Sequence, residues 1–328
     1  MRSTKLPSWS RQLLGFVPLP SPPHVFVLDG GRLRYGQFIR ERQGFRFRAY
    51  RQAALPADTF ASGPLGGPLR DPAAFTRITG ELVRSVPGGV REASLVVPDL
   101  WLRLTFAESG DLPRGGEALD EVLRWKLRRL VPFRVDELRI GAAEVSPLPG
   151  QAEPRRLLMG FAVEALLGQV EDAFAAQGVR LGHVSNVSLS LLAALEHSAP
   201  GAFLALALVD EDGYTLVFSR GGEPVLHRYK GFTGTLPEQA RGSFVERDLR
   251  LTRNFLDEHF RGSVLDPVLV SAPAAVEPLW LERLERGLGQ PAHRLDARWL
   301  PLLRGEADAA LPWRELAPML GAARREVA

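Results

Sequence analysis

At 328 residues, 45% apolar and 24% charged, the chain has ordinary globular composition and is long enough for two domains or one with an insert. A net charge of +3 excludes a global field aimed at nucleic acid, and the lack of cysteine excludes disulfides and thiolate metal sites. The longest fully apolar run, Ala202 to Val209, falls far short of the roughly 20 residues a membrane-spanning helix needs, and no secretory apolar core follows the N-terminal basic residues.

Residues 1–23 read as a tail. Trp9, Leu13, Leu14 and Phe16 are spaced for one apolar turn, closed off by Pro18, Pro20, Pro22 and Pro23. The reading is a loosely docked terminus, with contact to a membrane or partner as the alternative. Val25 to Asp29 and Arg32 to Phe38 are strands joined at Asp29-Gly30-Gly31, a hairpin turn by its glycine chemistry. Phe45, Phe47 and Tyr50 alternate as a third strand, and residues 56–72, rich in Pro, Gly and Ala, form a loop. Phe75, Ile78, Leu82 and Val86 share one face of a helix over Ala73 to Val86, and Ala93 to Pro98 is a buried strand.

From Leu100 to about Gly160 the chain behaves as an insert. It has a strand at Leu102 to Phe106, a helix, a strand over Leu138 to Val145 and a Pro/Gly-rich turn at Pro147 to Pro154. In the helix, Leu119, Val122, Leu123, Leu127 and Leu130 recur at spacings of three and four. Acidic residues at its start and Lys126, Arg128 and Arg129 near its end complement the helix dipole, and Pro132 stops it. Leu157 to Val163 is a strand, Ala165 to Gln177 a helix ending at Gly178, and Ser188 to Glu196 another helix.

A second half then starts afresh. Ala202 to Val209 is a strand covered on both faces, and Tyr214 to Ser219 and Pro224 to Tyr229 complete a meander that echoes residues 25–50. A helix over Phe244 to Phe260, a strand at Pro267 to Ser271, a helix at Leu279 to Gly287, a short strand at His293 to Asp296 and a last helix over Pro312 to Ala328 follow.

The stretch Arg124-Trp125-Lys126-Leu127-Arg128-Arg129-Leu130-Val131-Pro132-Phe133 resembles the RWEAEKYIPF-type signature of the PilM family, actin-like proteins of type IV pilus assembly. Ala176 to Leu181, the helix at Ser188 to Glu196, the helix carrying Glu246, Arg247, Arg250, Arg253 and Phe255, and Gly321 to Arg325 are similar to further family segments in the same order. The resemblance therefore runs from about residue 24 to 326. It implies an α/β, actin-like (ribonuclease H-like) fold of two lobes with a small α+β insert in the first. Lobe 1 covers residues 24–198 with the insert at about 100–160, and lobe 2 covers 199–328, its last helix returning toward lobe 1.

An actin-type ATPase holds nucleotide with two glycine-bearing hairpins, each after an Asp, and a Gly-Gly turn at the adenosine. Asp29, Gly30 and Gly31 match the first position, but the family's hydroxyl residues are gone and the turn is shortened. An ordinary exposed strand arginine is the reading for Arg34, with replacement of the family's lysine as the alternative. Asp210, Asp212 and Gly213 match the second, where Asp212 takes a glycine's place. Like charges there repel a triphosphate: at about 4 Å and an effective dielectric near 20, each pair costs roughly 4 kcal/mol. The third position is Val270-Ser271-Ala272-Pro273-Ala274-Ala275, with both glycines lost and Pro273 lacking an amide donor. The expectation is a pseudo-ATPase: no turnover, no catalytic residue, no metal site, and ATP with Mg²⁺ bound weakly or not at all.

The resemblance further implies a cytoplasmic scaffold, peripheral to the inner membrane through partners. It would bind the N-terminal peptide of a PilN-like bitopic membrane protein in a groove between lobe 1 and the insert, with pilus motor or platform proteins as further partners. Trp125, Leu130, Val131 and Phe133 are the candidate apolar walls, with Arg128 and Arg129 at the rim. The bland alternative is that Trp125 and Phe133 merely join insert to lobe. An active actin-like ATPase and a GspL-like type II secretion component are the other readings that stay open. Other chemistry finds no support. The histidines are scattered without metal-ligand spacing, Ser185, Ser188 and Ser190 lack a nucleophile-elbow context, and no P-loop occurs.

Overall fold

The computed structural model describes residues 23–113, 115–149, 155–195, 202–232, 238–304 and 312–324. The expected tail lies, apart from Pro23, outside them, as do the end of the turn expected up to Pro154 and the last four residues expected in the C-terminal helix.

The first lobe opens with an antiparallel meander of β1 (His24–Leu28), β2 (Arg32–Glu41) and β3 (Gly44–Ala54). Helix α1 (Pro72–Arg84) starts where Asp71 Oδ1 accepts the Ala74 amide at 2.9 Å and Pro72 fills the first helical position. Strand β4 (Glu92–Val97) then pairs in parallel with β1. Further on, α3 (Glu164–Ala175), β8 (Arg180–Asn186) and α4 (Val187–Leu195) complete the lobe. With β14 (Leu303–Arg304) at one edge, its sheet runs β14-β3-β2-β1-β4-β8. Phe75 and Leu82 of α1 and Leu166, Val170 and Phe174 of α3 cover its outer face.

The second lobe repeats the plan. Strands β9 (Phe203–Asp210), β10 (Gly213–Arg220) and β11 (Glu223–Gly231) form the meander. Helix α5 (Glu238–His259), β12 (Val268–Ser271), α6 (Glu277–Leu288), β13 (Ala292–Arg294) and α7 (Trp313–Arg324) follow. The order β11-β10-β9-β12-β13 matches β3-β2-β1-β4-β8 strand for strand. The two-lobed expectation read from the paired meanders is therefore correct.

Helices α4 and α7 form a layer between the two sheets. Leu191, Leu195, Leu316, Met319 and Leu320 pack there against Val25, Val27 and Phe38 of the first sheet and Leu204, Leu206 and Leu269 of the second. The two helices touch closely enough that a Cβ at Gly321 would run into the Ser190 carbonyl. Full burial of such a Leu or Phe is worth about 2 kcal/mol, so this layer fixes the lobes to each other.

Between β4 and α3 lies the insert: β5 (Arg103–Glu108), α2 (Gly116–Arg128), β6 (Leu138–Val145) and β7 (Arg156–Val163). Its antiparallel sheet has β7 at the centre and runs β5-β7-β6. Leu123 and Leu127 of α2 pack on Leu138, Met159 and Phe161. Helix α2 ends earlier than Pro132 requires, capping at Arg129. Leu130 therefore leaves the buried stripe on which its spacing placed it and is 46% exposed. Across the insert, Arg156 Nη2 donates to the Val225 carbonyl at 2.9 Å and the Ser146 amide to Glu223 Oε2 at 3.0 Å, so the insert also braces the second lobe.

Two strands escape the sequence reading. Strand β8 lacks a clean apolar alternation. Strand β14 (Leu303–Arg304) is only two residues long, yet it carries chain from the second lobe to the edge of the first sheet, parallel to Phe45 and Arg46.

Candidate functional site

The duplicated meanders bring two hairpin tips to the same end of the molecule, at the mouth of the interlobe cleft. At the first tip, the Gly31 amide donates to Asp29 Oδ1 at 2.9 Å and the Asp29 amide to the Arg32 carbonyl at 3.0 Å. Two of the turn's three amides are thus already used. Neither Gly30 nor Gly31 has a positive φ, and a Cβ on Gly30 would meet nothing within 4 Å. The hairpin is present, but its geometry does not require these glycines, contrary to the reasoning from turn chemistry.

Arg34 is not a solvated strand arginine. Its side chain is 11% exposed; Nη2 lies 2.5 Å from Asp29 Oδ2 and Nη1 3.0 Å from Glu315 Oε2. The Tyr50 hydroxyl donates to the same Glu315 oxygen at 3.2 Å. Burial and the Glu315 charge push that phenol up to about 12. The arginine faces inward because even-numbered β2 residues point toward α7, as Gly36 does where it meets Met319.

At the second tip, Gly213 is required: a Cβ there would collide with the Lys230 carbonyl of β11. Asp212 contributes its carbonyl to the Phe232 amide at 2.7 Å. Arg314 Nη2 binds Asp210 Oδ1 at 2.8 Å. Arg314 and Glu315 are consecutive, so the first turn of α7 holds one hairpin with each. Loss of solvent raises the Asp210 carboxyl above its ordinary range; Arg314 opposes the shift and Asp29, across the cleft, adds to it. Asp210 still keeps 69% of its side chain exposed, which separates it from the sealed cluster beneath.

That cluster forms the cleft floor. Asp99 follows β4, Ser188 opens α4 and His227 lies in β11 of the other lobe. Ser188 Oγ donates to Asp99 Oδ1 at 2.5 Å and lies 2.8 Å from His227 Nε2; Asp99 and His227 approach to 4.0 Å. Asn186 Oδ1 caps α4 by accepting the Leu189 amide at 3.0 Å. The helix N-terminus that could receive an anion thus already faces Asp99, whose Oδ1 accepts the Ser188 amide at 3.3 Å. Burial pushes the Asp99 carboxyl up to about 7, against the Ser188 hydrogen bonds, and burial with nearby Arg103 pushes His227 down to about 3. His227 Nδ1 has no hydrogen-bond partner among the described residues.

Ser, His and Asp together do not make a nucleophilic triad here. In such a triad the carboxylate orients the far imidazole nitrogen while the serine faces substrate. Here the Asp and the His both contact the same serine oxygen, and all three are buried. Sequence reasoning set Ser188 and His227 aside and passed over Asp99. The only local signal was an acid placed directly after a buried apolar strand.

At the third expected device, Ser271 and Ala272 are buried, and the Val276 and Glu277 amides turn back onto the Pro273 carbonyl. No cluster of three potential metal ligands occurs among the described residues.

On the insert, Trp125 is 54% exposed, with Arg129 over its ring at 5.3 Å, and Leu130 is also exposed. Arg128 pairs with Asp136 at 2.6 Å. Val131 and Phe133 are half-buried against the insert core, Phe133 at 6.2 Å from Phe161. The six candidate residues therefore divide into an exposed patch and a packed pair. Arg124 Nη1 donates to the Val135 and Leu138 carbonyls at 2.7 and 3.2 Å, which places this end of α2 over the start of β6. Strand β6, like β5, is an edge of the insert sheet among the described residues. Its Arg139 crosses to Glu164 and Glu171 of α3, both at 2.6 Å.

No protein-family model matches this chain, and no curated protein sequence does. Among solved structures, a chain of a PilM-PilN type IV pilus biogenesis complex superposes with a TM-score of 0.70 at 15% identity, over 94% of this chain and 98% of that one. The cytoplasmic domain of EpsL from the type II secretion system of Vibrio cholerae gives 0.45 at 14% identity, over 76% and 82%. The ethanolamine utilization protein EutJ from Carboxydothermus hydrogenoformans gives 0.47 at 12% identity, over 93% and 90%. The chain thus has the two-lobed actin-like fold and, over nearly its whole length, the form of that fold seen in the pilus biogenesis complex.

Proposed function

We propose that the chain is a scaffold of a type IV pilus assembly complex at the cytoplasmic face of an inner membrane. It binds the N-terminal cytoplasmic peptide of a PilN-like bitopic membrane protein and does not turn over ATP. The observation that carries the reading is the exposed Trp125 on α2 and the exposed Leu130 just past its end, on the insert whose sheet has β6 at an edge. An extended peptide adding to such an edge gains main-chain hydrogen bonds, and an adjacent exposed tryptophan supplies an apolar anchor. In the interlobe cleft, the spent amides of the first hairpin and the α7 side chains pairing with both hairpins support the pseudo-ATPase half of the reading.

Calorimetric titration of synthetic N-terminal peptides from candidate bitopic proteins tests it. Trp125→Ala is expected to weaken capture roughly thirtyfold or more, the loss of about 2 kcal/mol typical of an aromatic hot spot. Unchanged capture moves the site elsewhere. An active ATPase is the second reading, favoured by Asp29 and Asp210 facing each other across the cleft. Micromolar ATP binding that disappears in Asp29→Asn or Asp210→Asn establishes it in place of the first.

A further inference from the structure

Helix α5 buries one face in the second-lobe core, through Val245, Leu249 and Leu256. Away from that face, Phe244, Arg247, Leu251, Asn254, Phe255 and Glu258 recur at spacings of three and four. They form a single stripe about 21 Å long. Phe244 is 38% exposed and Leu251 49%, Phe255 is half-buried beside them, and the three polar members are exposed. The charges on the stripe are unmet. The other described acids of α5 have ion partners: Glu246 with Arg286 at 3.8 Å, Asp248 with Arg228 at 3.3 Å and Asp257 with Arg253 at 3.9 Å. Glu258 has none among the described residues, and neither do Arg247 on the stripe and Arg250 beside it. Glu258 also stands in the last turn, where an acid opposes the helix dipole, so the stability of α5 itself does not account for it.

We infer that this stripe docks a second copy of the chain, helix against helix and antiparallel, about a two-fold axis at Leu251. An isologous contact sets residues at equal distances on either side of its axis against each other. Leu251 then meets its own copy, and Arg247 comes opposite Phe255 of the second copy. Glu258 of the second copy lies about 4.5 Å further along the axis, level with Phe244. Each Arg247 thus reaches both an aromatic face and a carboxylate, and the symmetry makes the contact twice. A parallel pair would instead set Arg247 on Arg247 and Glu258 on Glu258. The charge order, basic before the axis and acidic after it, is what selects a second copy. A partner of uniform charge would meet one half of the stripe and repel the other. Two such stripes bury on the order of 1,000 Å² in all, at the low end for a specific interface, so the dimer is a weak one. The surface belongs to the second lobe, whereas the proposed peptide groove belongs to the insert, and neither depends on the other.

Sedimentation velocity of the full-length protein, from about 1 to 200 µM, tests it. A monomer–dimer equilibrium is expected, with a dissociation constant of about 10–100 µM and no larger species, because an isologous face closes on itself. Leu251→Glu sets two like charges on the axis and is expected to stay monomeric over the whole range. Arg247→Glu and Glu258→Arg each bring like charges together and are expected to weaken the dimer roughly tenfold. The double variant Arg247→Glu/Glu258→Arg restores the pairing with its signs exchanged and is expected to return to within about threefold of the wild type. All three positions are exposed, so the urea midpoints of the variants are expected to stay unchanged, which separates loss of the contact from loss of the fold. The inference is overturned by a protein that stays monomeric at the highest concentration, by a dimer that Leu251→Glu leaves intact, or by open-ended association. A double variant that dimerises no more tightly than either single variant also overturns it.

Discussion

Asp99 and His227 exchange a proton on folding, and that exchange hides itself from the wild-type pH profile. The Asp99 carboxyl rises from its ordinary 3.8 to about 7 in the folded protein, while His227 falls from 6.5 to about 3. A raised carboxyl contributes stability below pH 3.8 that is lost as pH climbs toward 7. A depressed imidazole contributes stability above pH 6.5 that is lost as pH falls toward 3. Between pH 3.8 and 6.5 the unfolded chain holds its proton on the histidine and the folded chain on the aspartic acid. Both states carry one proton, so the pair adds no slope. Single substitutions expose the two halves. Asp99→Asn leaves the histidine alone, and stability relative to wild type is expected to rise with pH. His227→Gln leaves the carboxyl alone and reverses the sign. Each slope is about 1.4 kcal/mol per pH unit, or about 2 kcal/mol between roughly pH 4.5 and pH 6. Urea denaturation of the three proteins across that range gives the slopes directly. Two variant profiles that run parallel to the wild type, or that tilt the same way, refute the exchange.

Other substitutions separate packing from recognition. Gly321→Ala drives a methyl into the Ser190 carbonyl between α7 and α4, so thermal melting is expected to show a loss of about 3 kcal/mol or failure to fold. Arg34→Met strands Asp29 and Glu315 together and is expected to cost about 3 kcal/mol by urea titration. Trp125→Ala is expected to change stability by less than about 0.5 kcal/mol, since the ring is largely in solvent. Phe133→Ala, whose ring packs on Phe161, is expected to cost about 2 kcal/mol in the same melt.

The architecture was legible because it is written locally and twice. The apolar run Ala202 to Val209 within β9, the stripes on α1 and α2, and two meanders each followed by a helix report their own structure through period and punctuation. The resemblance around Trp125 then supplied the insert. Strand β14 was not legible, because two residues carry no period; only its partner Phe45, some 260 positions away, makes it a strand. The same reason hides the cleft floor. Asp99, Ser188 and His227 come from three distant segments, and none stands in a local motif. Arg34 looked like a surface residue because β2 alternates, and nothing near it in sequence announces that α7 will cover that face. Leu130 failed in the opposite way: its spacing fits the helix, but the helix ends first.

Helix α7 is the final element of the second lobe by topology, yet it is wedged against the inner face of the first sheet. A ribosome delivering this chain must therefore release residues 313–324 before Val25, Val27 and Phe38 gain their full cover. Until then the nascent first lobe presents a bare oily wall to the cell, the kind of surface that chaperones shield. The order of synthesis and the order of closure run against each other here, so the last twelve described residues govern whether the first half of the molecule survives its own production.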